Sequence, residues 1–129
     1  MKNLSSITLI IFAVMFIVSC SEDEPTPACE KQNIGTLIIA NNYTASSTSG
    51  RSISVFINRD APSSNSSGDL NVAAGESGAI DLPAGIHAIK VYLNTGSCSG
   101  NRCSVSREYL GEREVDLDQC EELNLAYGS

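Results

Sequence analysis

The stretch Ser52-Ile53-Ser54-Val55-Phe56-Ile57 places a β-branched residue at every second position. Strand side chains alternate between faces, so Ile53, Val55 and Ile57 share one side and Ser52, Ser54 and Phe56 the other. Strand-like runs recur on both flanks. Before it, Leu37 and Ile39, and then Ile38 and Ala40, make 34–41 a short apolar run with no single apolar face marked out. After it come Leu70 and Val72, then Ile80 and Leu82 around Asp81, then the Ile-, Val-, Tyr- and Leu-rich 86–94. Val115 and Leu117 alternate with Glu114, Asp116 and Asp118 in 105–118, and Leu123, Leu125 and Tyr127 alternate with Asn124 and Ala126. β-Branched and aromatic enrichment with this alternation marks strands.

Turn-formers separate the strands. Segments 42–50 and 59–68 are long, polar and Ser-rich, while 75–78 and 83–85 are short turns. No stretch has the spacing of an amphipathic helix. Seven short strands predict an all-β fold: a small antiparallel two-sheet, immunoglobulin-like sandwich over 34–129, stapled by disulfides. The Cys…Trp…Cys signature of true immunoglobulin domains is missing, because the chain has no Trp.

The chain has 129 residues, 15 acidic against 8 basic, one His and five Cys. A net charge of −7 speaks against a nucleic-acid partner, which requires a basic face. Met1 and Lys2 precede an apolar run, Leu9 to Val18, that ends at Ser19-Cys20. The run is too short for a transmembrane helix of about 20 residues and suits the apolar region of a secretory signal. Ile17-Val18-Ser19-Cys20 resembles the processing site of bacterial lipoprotein signals. That resemblance implies removal of 1–19, lipidation of Cys20 and a membrane anchor. The mature chain would then have about 110 residues, the size of one domain and too small for a TIM barrel or a full dinucleotide-binding enzyme.

Segment 20–33 reads as an extended tether, with Glu22-Asp23-Glu24 and two prolines, Pro25 and Pro27. Acids directly after the lipidated Cys resemble the surface-export signal of lipoproteins in one group of Gram-negative bacteria. The resemblance implies the outer membrane, with the domain facing outward; a periplasmic orientation is the other reading.

Lipidation of Cys20 leaves an even four Cys in an oxidising compartment, which allow three pairings. If each strand crosses the sandwich once, Cys29 before the first strand and Cys120 before the last lie at one end. Cys98 and Cys103, around the turn between the fifth and sixth, lie at the other. That arrangement favours Cys29–Cys120 and Cys98–Cys103. A zinc site fits poorly, because Cys-x₄-Cys is not finger spacing and the only His is remote in sequence.

The run Leu82-Pro83-Ala84-Gly85, leading into Ile86-His87-Ala88-Ile89-Lys90-Val91, resembles the turn-then-strand signature of PEGA-like bacterial modules. In those modules a strand like Gly35-Thr36-Leu37-Ile38-Ile39 opens the domain and one like 121–127 closes it. The resemblance implies a small non-enzymatic β-module and carries over no functional residue, since the Pro-Glu-Gly-Ala element itself is absent.

Candidates for chemistry are few. Gly75-Glu76-Ser77-Gly78-Ala79 has the outline of a nucleophile elbow, but that motif needs a strand-to-helix turn in a large α/β sheet. It reads instead as a hairpin turn. A lone His87 assembles no acid–base–nucleophile set. Glu112, Glu114, Asp116 and Asp118 share one strand face, which reads as solvated rather than as a Ca²⁺ site. No cofactor or metal is called for. The remaining candidate is a surface: 42–50, 74–77 and 95–102 fall at the end away from the tether and carry Asn42, Tyr43, Asn94, Asn101 and Arg102. Amides, an aromatic and a guanidinium suit a glycan or protein ligand. The expected protein is a membrane-anchored, non-catalytic binding lipoprotein. The alternatives are a structural accessory subunit of an envelope complex and, further off, an enzyme inhibitor or small hydrolase.

Overall fold

The computed structural model describes residues 25–46, 49–63 and 66–128. The signal segment 1–19, Cys20 and the acids of 21–24 lie outside the described residues. In chain order the elements are α1 (Ala28–Gln32), β1 (Ile34–Asn41), β2 (Ser49–Ile57), β3 (Leu70–Ala73), β4 (Ser77–Pro83), β5 (Gly85–Ser99), β6 (Arg102–Leu117) and β7 (Glu122–Tyr127). They form a two-sheet sandwich, with order β4-β1-β7 in one sheet and β3-β2-β5-β6 in the other. The expected all-β sandwich of seven strands is what forms.

Its pairing is antiparallel in every case but one: β1 and β7 run parallel. Both are odd-numbered crossings and start from the Cys29 end, so adjacency makes them parallel. The strand order also departs from the immunoglobulin one, where the first, second, fourth and fifth strands share a sheet.

The core lies between the sheets. Leu37 and Ile39 from β1 meet Ile53 and Val55 from β2, Val72 from β3, Leu82 from β4, Ile89 and Val91 from β5, and Val115 and Leu117 from β6. Leu123, Leu125 and Tyr127 of β7 close one side. Alternation reads directly here: β1 is buried at every second residue, as a strand with one solvated face requires.

Three local expectations are corrected. The segment 20–33 is not tether throughout: Ala28–Gln32 forms the helical turn α1, which buries no residue and leaves the expectation of no amphipathic helix standing. One turn is too short to show a 3.6-residue period, and it is held by its neighbours rather than by an apolar stripe. Segment 75–78 is not a hairpin turn, because β3 and β4 belong to different sheets. It is a crossing between sheets, pinned to the end of β1 by Gly75 N–H to the Asn41 carbonyl (2.7 Å) and Asn41 N–H to the Glu76 carbonyl (2.9 Å). Segment 95–102 is mostly strand, beyond the 86–94 and 105–118 read from the sequence. β5 continues to Ser99 and β6 starts at Arg102, so only Gly100 and Asn101 turn.

A bulge decides what β6 presents. Val91 pairs with Gly111 but Tyr92 pairs with Tyr109, leaving Leu110 as the extra residue. Gly111 accommodates it at φ 143°, a conformation open to glycine. Below the bulge Val115 and Leu117 face the core; above it Leu110 also packs inward. The alternation therefore inverts. Tyr109, Arg107 and Val105 face the outside of the sheet, where uninterrupted period-two reading would have turned them inward.

Two disulfides fasten opposite ends, and they are the pairs that the crossing argument favours. Cys29–Cys120 joins α1 to the β6–β7 turn, and Cys98–Cys103 joins directly paired residues of the β5–β6 hairpin. Around the first, Gln119 Nε2–H donates to the Glu30 carbonyl (2.7 Å) and Cys120 N–H to the Ile34 carbonyl (2.8 Å).

Candidate functional site

The residues expected to form one distal surface fall into three settings. Asn42 is exposed just beyond β1 and its N–H donates to the Tyr127 carbonyl (2.8 Å). Tyr43 beside it packs against the core, with the Arg51 guanidinium 6.0 Å from its ring centre. Asn101 and Arg102 sit at the tip of the β5–β6 hairpin, in a shallow hollow of about 560 Å³ around Cys98–Cys103. Asn94 belongs elsewhere, on the outer face of the four-stranded sheet.

That outer face holds the most organised polar arrangement. Asn94 pairs in register with Arg107, and Ser54 with Asn71. A hydrogen-bond chain runs across all four strands: Arg107 Nε–H to Asn94 Oδ1 (2.7 Å), Asn94 Nδ2–H to Ser54 Oγ (2.7 Å), and Ser54 O–H to Asn71 Oδ1 (2.7 Å). Asn71 Nδ2–H passes it to the Gly68 carbonyl (3.2 Å). Period two placed Ser54 outward, yet it is buried, because the described parts of the loop, 58–63 and 66–69, fold back over the sheet.

Arg107 grips that loop. Its Nη1 donates to the Ser63 carbonyl (2.9 Å) and its Nη2 to the Ser66 carbonyl (2.7 Å). Phe56 also points outward, yet it is fully buried beneath this cover. Tyr92 meets Phe56 edge-on at 5.6 Å, while the guanidinium carbons of Arg59 and Arg107 lie 5.0 and 5.6 Å from the Phe56 ring centre. Such contacts stabilise by about 0.5–2 kcal/mol each. The expectation of a merely polar 59–68 loop missed this second small core.

Beside the loop lies a groove of about 370 Å³, lined by Ser52, Ser54, Ser66, Ser67, Asn71, Asn94, Val105 and Arg107. One strand pair further along, Tyr109 is 53% exposed and its ring centre is 5.2 Å from that of Tyr92. Hydroxyls, amides, a guanidinium and an open aromatic face thus share one side of the sheet. Sequence reading found Asn94 and missed Ser52, Ser54, Asn71, Arg107 and Tyr109. The only signal for them was Phe56, an aromatic out of phase in the opening stretch.

At the Cys29 end of this face, Arg59 clasps Asp69 across the loop's base, with Nη2–Oδ1 at 2.9 Å and Nε–Oδ2 at 3.1 Å. The hydrogen bond from Arg59, helped by the Ile57 N–H, holds the Asp69 carboxyl below the usual range against the opposing effect of burial. Lys90 bonds Asp60 and lies 3.7 Å from Glu112, lining a second cleft of about 360 Å³. The Asp60 hydrogen bond raises the Lys90 ammonium above its ordinary value.

His87 is nearly buried and engaged at both nitrogens. Pro83's carbonyl can only accept, so Nε2 carries the proton and donates to it (2.7 Å). Nδ1 accepts from Asn58 Nδ2–H (3.0 Å), and Asn58 Oδ1 is fixed in turn by the Ala88 N–H (2.9 Å). Ser77 lies at the opposite end, paired with Ala40. Among the described residues, no three His, Cys, Asp or Glu side chains come together as a metal site. Glu112, Glu114 and Asp116 are exposed along β6. No family model, no curated protein and no solved structure matches this chain.

Proposed function

We propose that this protein is a lipid-anchored, non-catalytic binding module of the bacterial outer membrane that engages a glycan through the outer face of its four-stranded sheet. One observation carries the reading: the hydrogen-bonded polar row Arg107–Asn94–Ser54–Asn71 beside the exposed ring of Tyr109. Sugars offer hydroxyls for amides and hydroxyls to bond and C–H faces for an aromatic ring to cover, and a rigid sheet holds both without ordering cost. The anchor rests on the lipoprotein-like Ile17-Val18-Ser19-Cys20, and the acids behind it support outward display.

Glycan-array binding that is lost in Tyr109→Ala and Asn94→Ala, with melting temperature preserved, supports this reading; binding unaffected by both overturns it. Cys20→Ala should release the protein from the membrane fraction. Protease added to intact cells should degrade the wild type, whereas protection until the cells are permeabilised would sink outward display.

A second reading, an accessory subunit of an envelope complex, draws on the free outer edge of β6, which runs 16 residues. Its charges and its bulge blunt that edge against strand addition. Stoichiometric co-purification of a membrane partner, unaffected by Tyr109→Ala, would favour it.

A further inference from the structure

We propose that the groove accepts a carboxylated sugar, a uronic acid or similar unit, with Arg107 as the group that meets the carboxylate; the inference rests on the glycan reading and names its ligand class. Arg107 is a half-buried cation without a carboxylate partner among the described residues. The ion-paired acids of this sheet belong to other cations, Asp69 to Arg59 and Asp60 and Glu112 to Lys90, and Glu108, next in sequence, alternates to the other face of β6. Carbonyls, one amide and one hydroxyl hold its guanidinium instead, by four hydrogen bonds, so one of its five N–H groups is left over.

These neutral partners fix its position without cancelling its charge. The rings of Phe56 and Tyr92, 5.6 and 5.7 Å from its guanidinium carbon, shield it from water, which strengthens its attraction for an anion. The chain's other negative charges act weakly at this spot once they are more than about 8 Å away in physiological salt. Across the groove the Ser52 hydroxyl has no partner among the described residues and is free to bond an anion. An acidic peptide would satisfy Arg107 equally, but it would leave the amide row and the Tyr109 face without matching groups.

The test uses the full lipidated protein in detergent micelles. The probes are oligosaccharides of galacturonate, glucuronate and mannuronate, each beside its methyl ester, which keeps the sugar and removes the charge. The expected result is at least one acid bound about tenfold or more tightly than its ester, the gap shrinking as salt rises. Ser52→Asp, which places a resident carboxylate opposite Arg107, should abolish that preference, and Ser52→Asn should keep it. If Ser52→Asp melts early, Ser67→Asp on the exposed loop rim makes the same test. Equal binding of acid and ester overturns this inference and leaves the glycan reading standing. Binding of neither sugar form also overturns this inference, and the glycan array then decides the glycan reading by itself. Equal, Ser52→Asp-sensitive binding of a poly-glutamate peptide overturns the sugar as ligand.

Discussion

Asn41 shows how a single side chain holds two sheets in register. It is fully buried; its Nδ2–H donates to the Val72 carbonyl (2.9 Å) and its Oδ1 accepts the Tyr43 N–H (3.1 Å). Asn41→Ala would strand both backbone groups and should cost about 1–3 kcal/mol in urea unfolding. Gly128 sets a steric limit nearby, since a Cβ there would lie 2.8 Å from the Tyr43 nitrogen at φ 88°. Gly128→Ala should lower stability by roughly 1–2 kcal/mol and shift the near-ultraviolet signal of Tyr43. Asp69 supplies a pH dependence. Its folded carboxyl titrates below its unfolded value, so its contribution is whole above about pH 3.9 and fades as pH falls through the lower folded value. The pair is largely solvated, so the effect should be under about 1 kcal/mol. Asp69→Asn should flatten the acid limb of a stability–pH curve; an unchanged limb would remove Asp69 from the account.

At the scale of elements, the β5–β6 hairpin is the part that sequence alternation described least well. Its two strands pair from Gly85–Leu117 out to Ser99–Arg102, beyond the last paired residue of β2. Past Leu93 the core ends, and the outer part is held by β2, by ladder bonds and by Cys98–Cys103. A bridge closing so short a loop stabilises by about 2 kcal/mol in the chain-entropy account. Replacing both Cys98 and Cys103 with Ser should speed amide exchange at 95–106 while leaving exchange at Ile89 and Val91 slow. The bulge at Leu110 matters more for the candidate site, because it alone turns Arg107 and Tyr109 outward. Deleting Leu110 should abolish any glycan binding and destabilise the fold, since it would drive a guanidinium toward the core.

The whole molecule is a sandwich closed at one end by a covalent clasp. Cys29–Cys120 spans 91 residues of sequence and ties α1 to the last turn. The same account gives about 4.6 kcal/mol for a loop of this length. For a domain of about 100 residues that corresponds to roughly 20 °C, so Cys29→Ser with Cys120→Ser should melt far earlier in scanning calorimetry. The two faces of the molecule also differ. The three-stranded sheet shows solvent the plain outer side that alternation implies, with Ser77, Asp81, Glu122 and Asn124 exposed. The four-stranded sheet carries a folded loop, a buried Phe56 and the groove.

Period two, turn residues and cysteine spacing by themselves determined the seven strands, the shared face of Ile53, Val55 and Ile57 and the ends at which the bridges form, because each is a local or parity property of the chain. Tertiary structure alone decided the parallel β1–β7 pair, the helical turn at Ala28–Gln32 and the assembly of Arg107, Asn94, Ser54 and Asn71 into one row. The reason is physical. Strand order, a single bulge and the folding back of a polar loop arise from contacts between residues distant in sequence, and alternation along one strand cannot encode what lies beside it.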